Sequence, residues 1–333
     1  MSARRSGPAA QRPRPRSRRP PSAVYRRRRL AALAAIAALI LLVVLAAKSD
    51  DATLELTPAQ QIRAERAEDP VRLTVSVSGD ILIHSLLWER ALANGGGSRY
   101  DFAPFFTELA PYVARADLAV CHVETPISSA EPTSYPIFNA PEELAAGIEA
   151  NGWDACDTAS NHSLDGGQEG VDATAAALDR QGIRHTGSFS SAAARRRPLI
   201  LEAKGVKIGY LAYTDFTNGI PLPNPWSVNY IAADAAVEPK AKRVLADARR
   251  AREAGAEAVI VTMQWGDENA TEPNDSQREL AQRLTRSPLV TAIVGQGPHV
   301  VQPVERINGK FVVFSEGNLV SNQSALAGLP AET

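Results

Sequence analysis

The stretch TASNHSLDGGQEGVDATAAALDRQG, residues 158–182, decides the fold class. Ahead of it, GWDACD (152–157) reads as a buried strand, and the residues from Gln168 to Gly182 have the apolar spacing of an amphipathic helix. Asn161 and His162 therefore sit where a strand gives way to a helix, and open α/β sheets bind ligands at such places. Asn offers a neutral amide oxygen and His an imidazole, which suit metal ligation or proton transfer. An ordinary turn also uses Asn with a following Asp-Gly.

Reading outward, the same alternation continues. RLTVSVSGD (72–80) and DLAVCHVE (117–124) predict strands, and PFFTELAPYVARA (104–116) predicts a helix. PEELAAGIEANG (141–152) predicts a second helix, with Pro early and Gly at the stop. Beyond residue 182 the pattern gives a strand at 204–215, a long Pro/Asn-rich loop, a helix at 239–255, a strand in AEAVIVTMQWGDE (256–268) and a helix at 275–286. VTAIVGQGPH (290–299) then leads into a hairpin turning at Asn308-Gly309. Strands alternating with helices make this an α/β chain. The glycines at 95–97 lack the Lys-Ser/Thr of a phosphate loop and read as a turn.

Charge is divided unevenly. Residues 1–29 carry eleven Arg and no acid, whereas the chain from Ser49 onward has 24 basic residues against 37 acidic ones. An acidic body excludes a nucleic-acid-binding domain, because phosphate contacts need positive charge on the folded surface. The Arg/Pro-rich leader is explained by LAALAAIAALILLVVLAA (30–47), 18 apolar residues in succession. That length spans a bilayer core of about 30 Å as a helix, and the flanking Arg26–Arg29 place the leader in the cytoplasm. The expected organisation is a disordered cytoplasmic leader at 1–29, a single-pass signal anchor at 30–47, a linker at 48–71 and an extracytoplasmic domain at 72–333. A cleaved signal peptide is the alternative, but its apolar region is shorter and ends in a small-residue site. Cys121 and Cys156 both lie in apolar strand-like runs; on neighbouring strands they could pair, although a free buried cysteine is the commoner outcome.

Polar residues that could bind a metal end strand after strand: Asp80, Glu124, Asn161 with His162, Gln264 with Glu268, and His299. In a parallel sheet these ends share one edge, so they can converge. Singly, Asp80 could cap a helix, Glu124 could be a solvated turn acid and His299 an ordinary loop residue. The segments SVSGDILIH, ADLAVCHVETPI, TASNHSLDGGQEGVDATAAALDRQGIRHTG, MQWGDE and GQGPHVVQPVERINGKFVVFSEGN occur in the order of the motifs of the CapA family of capsule and poly-γ-glutamate synthesis proteins. The resemblance runs from about Arg72 to Asn322.

This resemblance implies a calcineurin-like metallophosphoesterase fold, a four-layer α/β/β/α sandwich with a metal at the sheet edge. It makes Asp80, Glu124, Asn161, Gln264 and His299 candidate ligands, and Asp80 and His162 the candidate catalytic pair, with His162 assisting the leaving group. His84 and Glu268 are further candidates. The chain departs from the superfamily pattern where Leu82, Gln264, Gln296 and Gly297 replace imidazoles, His84 being the nearest to Leu82, and where Glu124 replaces Asp. The remaining oxygen-rich set suits a single Mn or Mg ion better than two zincs. The resemblance also implies further strands after GNLVSNQ, where this sequence has only SALAGLPAET.

Two functions follow. In one, the chain is a membrane-tethered module that binds or helps export an anionic extracellular polymer within its synthesis complex. In the other, it is a metal-dependent phosphoesterase or related hydrolase acting in the cell envelope. An acidic body would repel poly-γ-glutamate unless a metal or a basic patch such as Arg195–Arg197 intervened, and a solvated loop is the plainer reading of those arginines. The topology has a direct test: protease added to intact cells should digest the body and spare the leader, and a body protected in the cytoplasm would exclude the anchor.

Overall fold

The computed structural model describes residues 71–323. The leader, the anchor and, Val71 apart, the linker expected at 48–71 lie outside the described residues, as does the apolar run 30–47. Among the described residues no helix is long and apolar enough to cross a membrane.

Two sheets organise the domain. The first is wholly parallel and contains β1 (Val75–Ile81), β2 (Leu118–Val123), β5 (Ala155–Asp157), β6 (Arg184–Thr186) and β13 (Asn318–Val320), in the order β13-β1-β2-β5-β6. Its central strand β2 is buried along its whole length, as expected of a parallel strand covered on both faces. The second sheet has the order β11-β12-β10-β9-β8-β7, made from β7 (Leu199–Ala203), β8 (Val206–Thr214), β9 (Ala258–Gln264), β10 (Ala292–Gln296), β11 (Val304–Ile307) and β12 (Lys310–Val313). Its edges are antiparallel and its centre is parallel. A two-stranded patch, β3 (Ile127–Ser128) with β4 (Ala140–Pro141), lies beside the first sheet's loops.

Three apolar cores define the layers. The outer face of the first sheet packs under α1 (Ser85–Asn94), α4 (Glu143–Ala150) and α5 (Gly167–Arg180), through Ile81, Cys121, Leu144, Ile148 and Leu178. A second core, with Val120, Leu201, Ile208, Tyr210 and Val294, fills the space between the sheets. On the far side α7 (Val237–Glu253) and α8 (Asp275–Thr285) cover the second sheet through Val244, Ala248, Val261, Leu280 and Ile293. The order is helices, sheet, sheet, helices. The first sheet is completed only when β13, after the whole second sheet in sequence, returns to pair with β1.

That return depends on glycine. A Cβ on Gly79 would lie 2.0 Å from the Gly317 carbonyl oxygen, the same oxygen that accepts the Asp80 N–H at 3.0 Å. Only a residue without a side chain lets β1 approach so closely.

The helix predicted at 104–116 is instead two single turns, α2 (Ala103–Phe106) and α3 (Ala110–Val113), each with a proline in its first positions. Pro111 has no N–H to continue a helix from the preceding turn, so it starts a new one. The cysteines also differ from the commoner expectation: the β2–β5 register sets Cys121 opposite Cys156 with Cα atoms 4.4 Å apart, and they form a disulfide. A small helix, α6 (Ala192–Arg196), carries Arg195, whose guanidinium meets Asp247 at 2.7 Å and lies over Phe189. Arg195 is therefore engaged in the fold and is not part of a free basic patch.

Closing a loop of this size restricts the unfolded chain by about 3–4 kcal/mol. Replacing both cysteines by Ala should lower the free energy of unfolding by about that amount in a denaturant titration, leaving the native far-UV spectrum in place.

Candidate metal centre

The first sheet's register builds the site. Asn318 of β13 is opposite Asp80 of β1, Asp80 opposite His122 of β2, and His122 opposite Asp157 of β5. Four polar side chains thus form one row across four parallel strands, near the C-terminal ends of β1, β2 and β5 and at the start of β13. Glu124 follows just beyond β2, and His299 arrives from the loop after β10.

Asp80, Glu124 and His299 are buried, and a donor atom from each lies within 4.8 Å of the others. His299 Nδ1 is 2.9 Å from both Asp80 Oδ2 and Asn318 Oδ1, but only the Asn318 contact has hydrogen-bond alignment. His299 Nε2 is 3.8 Å from Glu124 Oε1. The backbone of His299 is left-handed, with φ 63°, an uncommon conformation for a residue with a side chain. Both oxygens of Asp80 and both of Glu124 are buried without a hydrogen-bond partner.

Such a site is electrostatically tense. Burial raises the Glu124 carboxyl above its usual range, His299 opposes that shift and the neighbouring Asp80 adds to it. Burial would lower the His299 imidazole, yet Glu124 and Asp80 outweigh it and raise it to about 10. His122 behaves alike: burial opposes the charge, and Asp157, Asp80 and Glu124 carry it up to about 9. Burial and the nearby Asp157 and Asp80 push Glu316 up to about 8 against a hydrogen bond from Gln296.

The other candidates from the sequence surround this centre. Asn161 and Gln264 meet across the two sheets, Gln264 Nε2 donating to Asn161 Oδ1 at 2.7 Å. The Gln264 carbonyl accepts from Thr214 at 2.6 Å, so Gln264 presents an N–H to Asn161. Asn161 Nδ2 donates to Asn218 Oδ1. His162 is buried, its Nδ1 2.7 Å from Asp165 Oδ2 and its ring edge-on to Phe138. His84 approaches the Leu82 carbonyl and packs on Phe138, while burial lowers its basicity. Glu268 is exposed at the rim. Asn161, His162, His84, Glu268 and His299 all line one cavity of about 730 Å³.

Sequence reasoning missed His122, Asp157, Asn318, Asp165 and Asn218. For His122 a signal existed: it stands two residues before Glu124 on one extended segment, and alternate residues of such a segment share a face.

Two carboxylates with four unpartnered oxygens and one imidazole are a donor set for a divalent cation, with the oxygens favouring a hard ion. The residues fit such an ion.

A family model described as Bacterial capsule synthesis protein PGA_cap matches residues 74–323, a span that contains every residue of this centre. The chain belongs to this family. Among its relatives, the PGA biosynthesis protein CapA of Bacillus subtilis is 29% identical over 167 residues, covering 50% of this chain and 42% of that protein. The capsule biosynthesis protein CapA of Bacillus anthracis is 24% identical over 263 residues, covering 76% and 60%. A probable polyglutamine synthesis accessory protein of Mycobacterium tuberculosis is 28% identical over 186 residues, covering 52% and 46%. The chain thus matches between 42% and 60% of the length of these relatives. Among solved structures, a hypothetical protein from Thermus thermophilus aligns with a TM-score of 0.44 at 16% identity, covering 74% of this chain and 76% of that one. A calcineurin-like phosphoesterase from Bacillus subtilis aligns with a TM-score of 0.40 at 15% identity, covering 73% and 80%.

An ion bound only by the folded state stabilises it by mass action, about 2.7 kcal/mol at a hundredfold excess over Kd. Mn²⁺ should therefore raise the melting temperature of the purified chain, and Asp80→Asn or His299→Gln should remove that rise. A rise that persists in both variants would locate the ion elsewhere.

Proposed function

We propose that the chain is a membrane-anchored, metal-binding member of a capsule or poly-γ-glutamate synthesis apparatus, with its folded domain outside the cytoplasm. The observation that carries this reading is the family match over 74–323 enclosing a buried triad suited to a cation. The Cys121–Cys156 disulfide supports export, since such bonds persist in oxidising compartments. The Arg-rich leader and the apolar run 30–47 support anchoring. Among the described residues, no Lys or Arg lines the main cavity. The charge of an anionic polymer would be met there by a bound ion.

A hydrolase of the metallophosphoesterase kind is the second reading, favoured by His162. Its ring is fixed by Asp165, which accepts from Nδ1, and this leaves Nε2 to exchange a proton with a leaving group. A bound divalent ion would supply a Lewis acid and a source of hydroxide. Asp80, Glu124 and His299 would hold it, while Asn161, tied to Gln264 and Asn218, borders the space where substrate would lie.

The two readings separate experimentally. In a polymer-producing host lacking its own family member, this chain should restore surface polymer and Asp80→Asn should not. With a generic phosphodiester and Mn²⁺, turnover should be weak or absent, because a second ion lacks imidazole ligands at Leu82, Gln264 and Gly297. Gln264→His is the variant with which to raise metal occupancy. Gly297→His is unsuited, since Gly297 has φ 104° and a Cβ there would lie 3.2 Å from Trp265 backbone atoms. Robust turnover by the natural chain, abolished by His162→Ala, would establish the hydrolase.

A further inference from the structure

The arginines at 195–197 divide between the fold and the surface. Arg195 is held by Asp247 of α7, whereas Arg196 and Arg197 are exposed and, among the described residues, form no ion pair. Asp247 is already shared: Arg195 Nη2 and the Tyr213 hydroxyl both donate to its Oδ2, at 2.7 and 2.6 Å, and Arg250 pairs with its Oδ1. Burial and the neighbouring Arg195 lower the basicity of Arg243, which is drawn to the same carboxylate. Three guanidiniums therefore gather at one acid, and Arg195 Nε remains a buried donor without a partner.

Arg195, Arg196, Arg197 and Arg250 line one depression. It adjoins a groove of about 420 Å³, since Thr186, Phe189, Arg197 and Pro198 line both. The groove adds Arg184 and His185, and its one acid, Asp179, is paired with His185 at 3.3 Å. Neither cavity shares a residue with the one over the metal centre.

We propose that this arginine track is a binding site for a soluble chain of closely spaced carboxylates, separate from the metal centre. The inference rests on the reading of the protein as part of an anionic-polymer apparatus, and it supplies the fixed positive charge that the main cavity lacks. A guanidinium presents a planar fork that takes a carboxylate through two hydrogen bonds. Guanidiniums gathered beyond the number of available acids repel one another, and an anion entering among them relieves that repulsion. Their spread along a groove suits a chain, which offers several charges in succession. From Ser49 onward the protein carries 24 basic residues against 37 acidic ones, so a polyanion is repelled by the body at large and drawn to this track. A lipid surface fits less well: among the described residues, no exposed large apolar side chain lines either cavity to enter a bilayer.

Phenylglyoxal footprinting of the whole purified chain in EDTA, read peptide by peptide, reports each arginine separately, so the eleven of the leader do not obscure the track. Poly-γ-glutamate should slow modification of Arg184, Arg196 and Arg197 several-fold and leave the exposed Arg99 and Arg115 unchanged. The protection should fade as salt is raised. Arg184 should lose it in a chain carrying Arg196→Gln and Arg197→Gln, two exposed and unpaired positions whose replacement costs the fold little. Equal modification of Arg196 and Arg197 with and without polymer would overturn the proposal; a chain that still restored surface polymer in the host would then keep its proposed function without this site. Protection in a chain that fails to restore polymer would support the site and remove that function. Protection by phosphatidylglycerol vesicles and none by the polymer would overturn the assignment to a soluble chain.

Discussion

Asp80 and Glu124 are carboxylates buried at the ends of adjacent parallel strands with none of their oxygens hydrogen-bonded. Left alone, such groups cost on the order of several kcal/mol each. Much of the surrounding structure answers that cost. Two imidazoles, His299 and His122, flank Asp80 and are raised, His299 by Glu124 and Asp80 and His122 by Asp157, Asp80 and Glu124, and the Glu124 carboxyl is itself pushed upward by burial. His299 adopts a left-handed backbone and is steadied by Asn318. A cation would relieve the same tension more completely, because it replaces several indirect compensations with direct coordination. Any affinity of this site for a cation would therefore come from the same atoms that make it electrostatically tense.

The outline of this arrangement was legible in the sequence because strand ends can be read from apolar runs and their polar stops. Asp80, Glu124 and His299 each follow such a run, and a parallel sheet gathers those ends on one edge. His122 and Asp157 were not legible in the same way. They lie inside runs that read as strand interior, and only the β2–β5 register shows that they face each other. The cysteine pair was obscured for the same reason, since its closure is a consequence of register and not of spacing. β13 is three residues long and follows a hairpin, so local pattern gave no cue that it crosses to the other sheet. The misread helix at 104–116 is a case of periodicity overruled by backbone chemistry at Pro111.

Function is tied to the fold by the cleft between the two sheets. The first sheet supplies the carboxylates, and the second brings Gln264 against Asn161. The cavity walls add Phe138, Phe216 and Tyr135, the last two exposed, so the mouth combines apolar surface with imidazoles and no fixed positive charge from Lys or Arg. A partner entering it gains from shape and apolar contact before it gains from charge.

The late arrival of β13 has a consequence for how the chain matures. Asp80 is synthesised more than two hundred residues before His299 and Asn318, and the strand that carries Asn318 also closes the edge of the sheet beside Asp80. Non-local pairing of this kind is slow to form and cannot be shortcut by local structure. A nascent chain halted before residue 299 holds the two acids without the imidazole that completes the triad. Were the triad to take up metal, tight uptake would mark a chain in which β13 has already met β1.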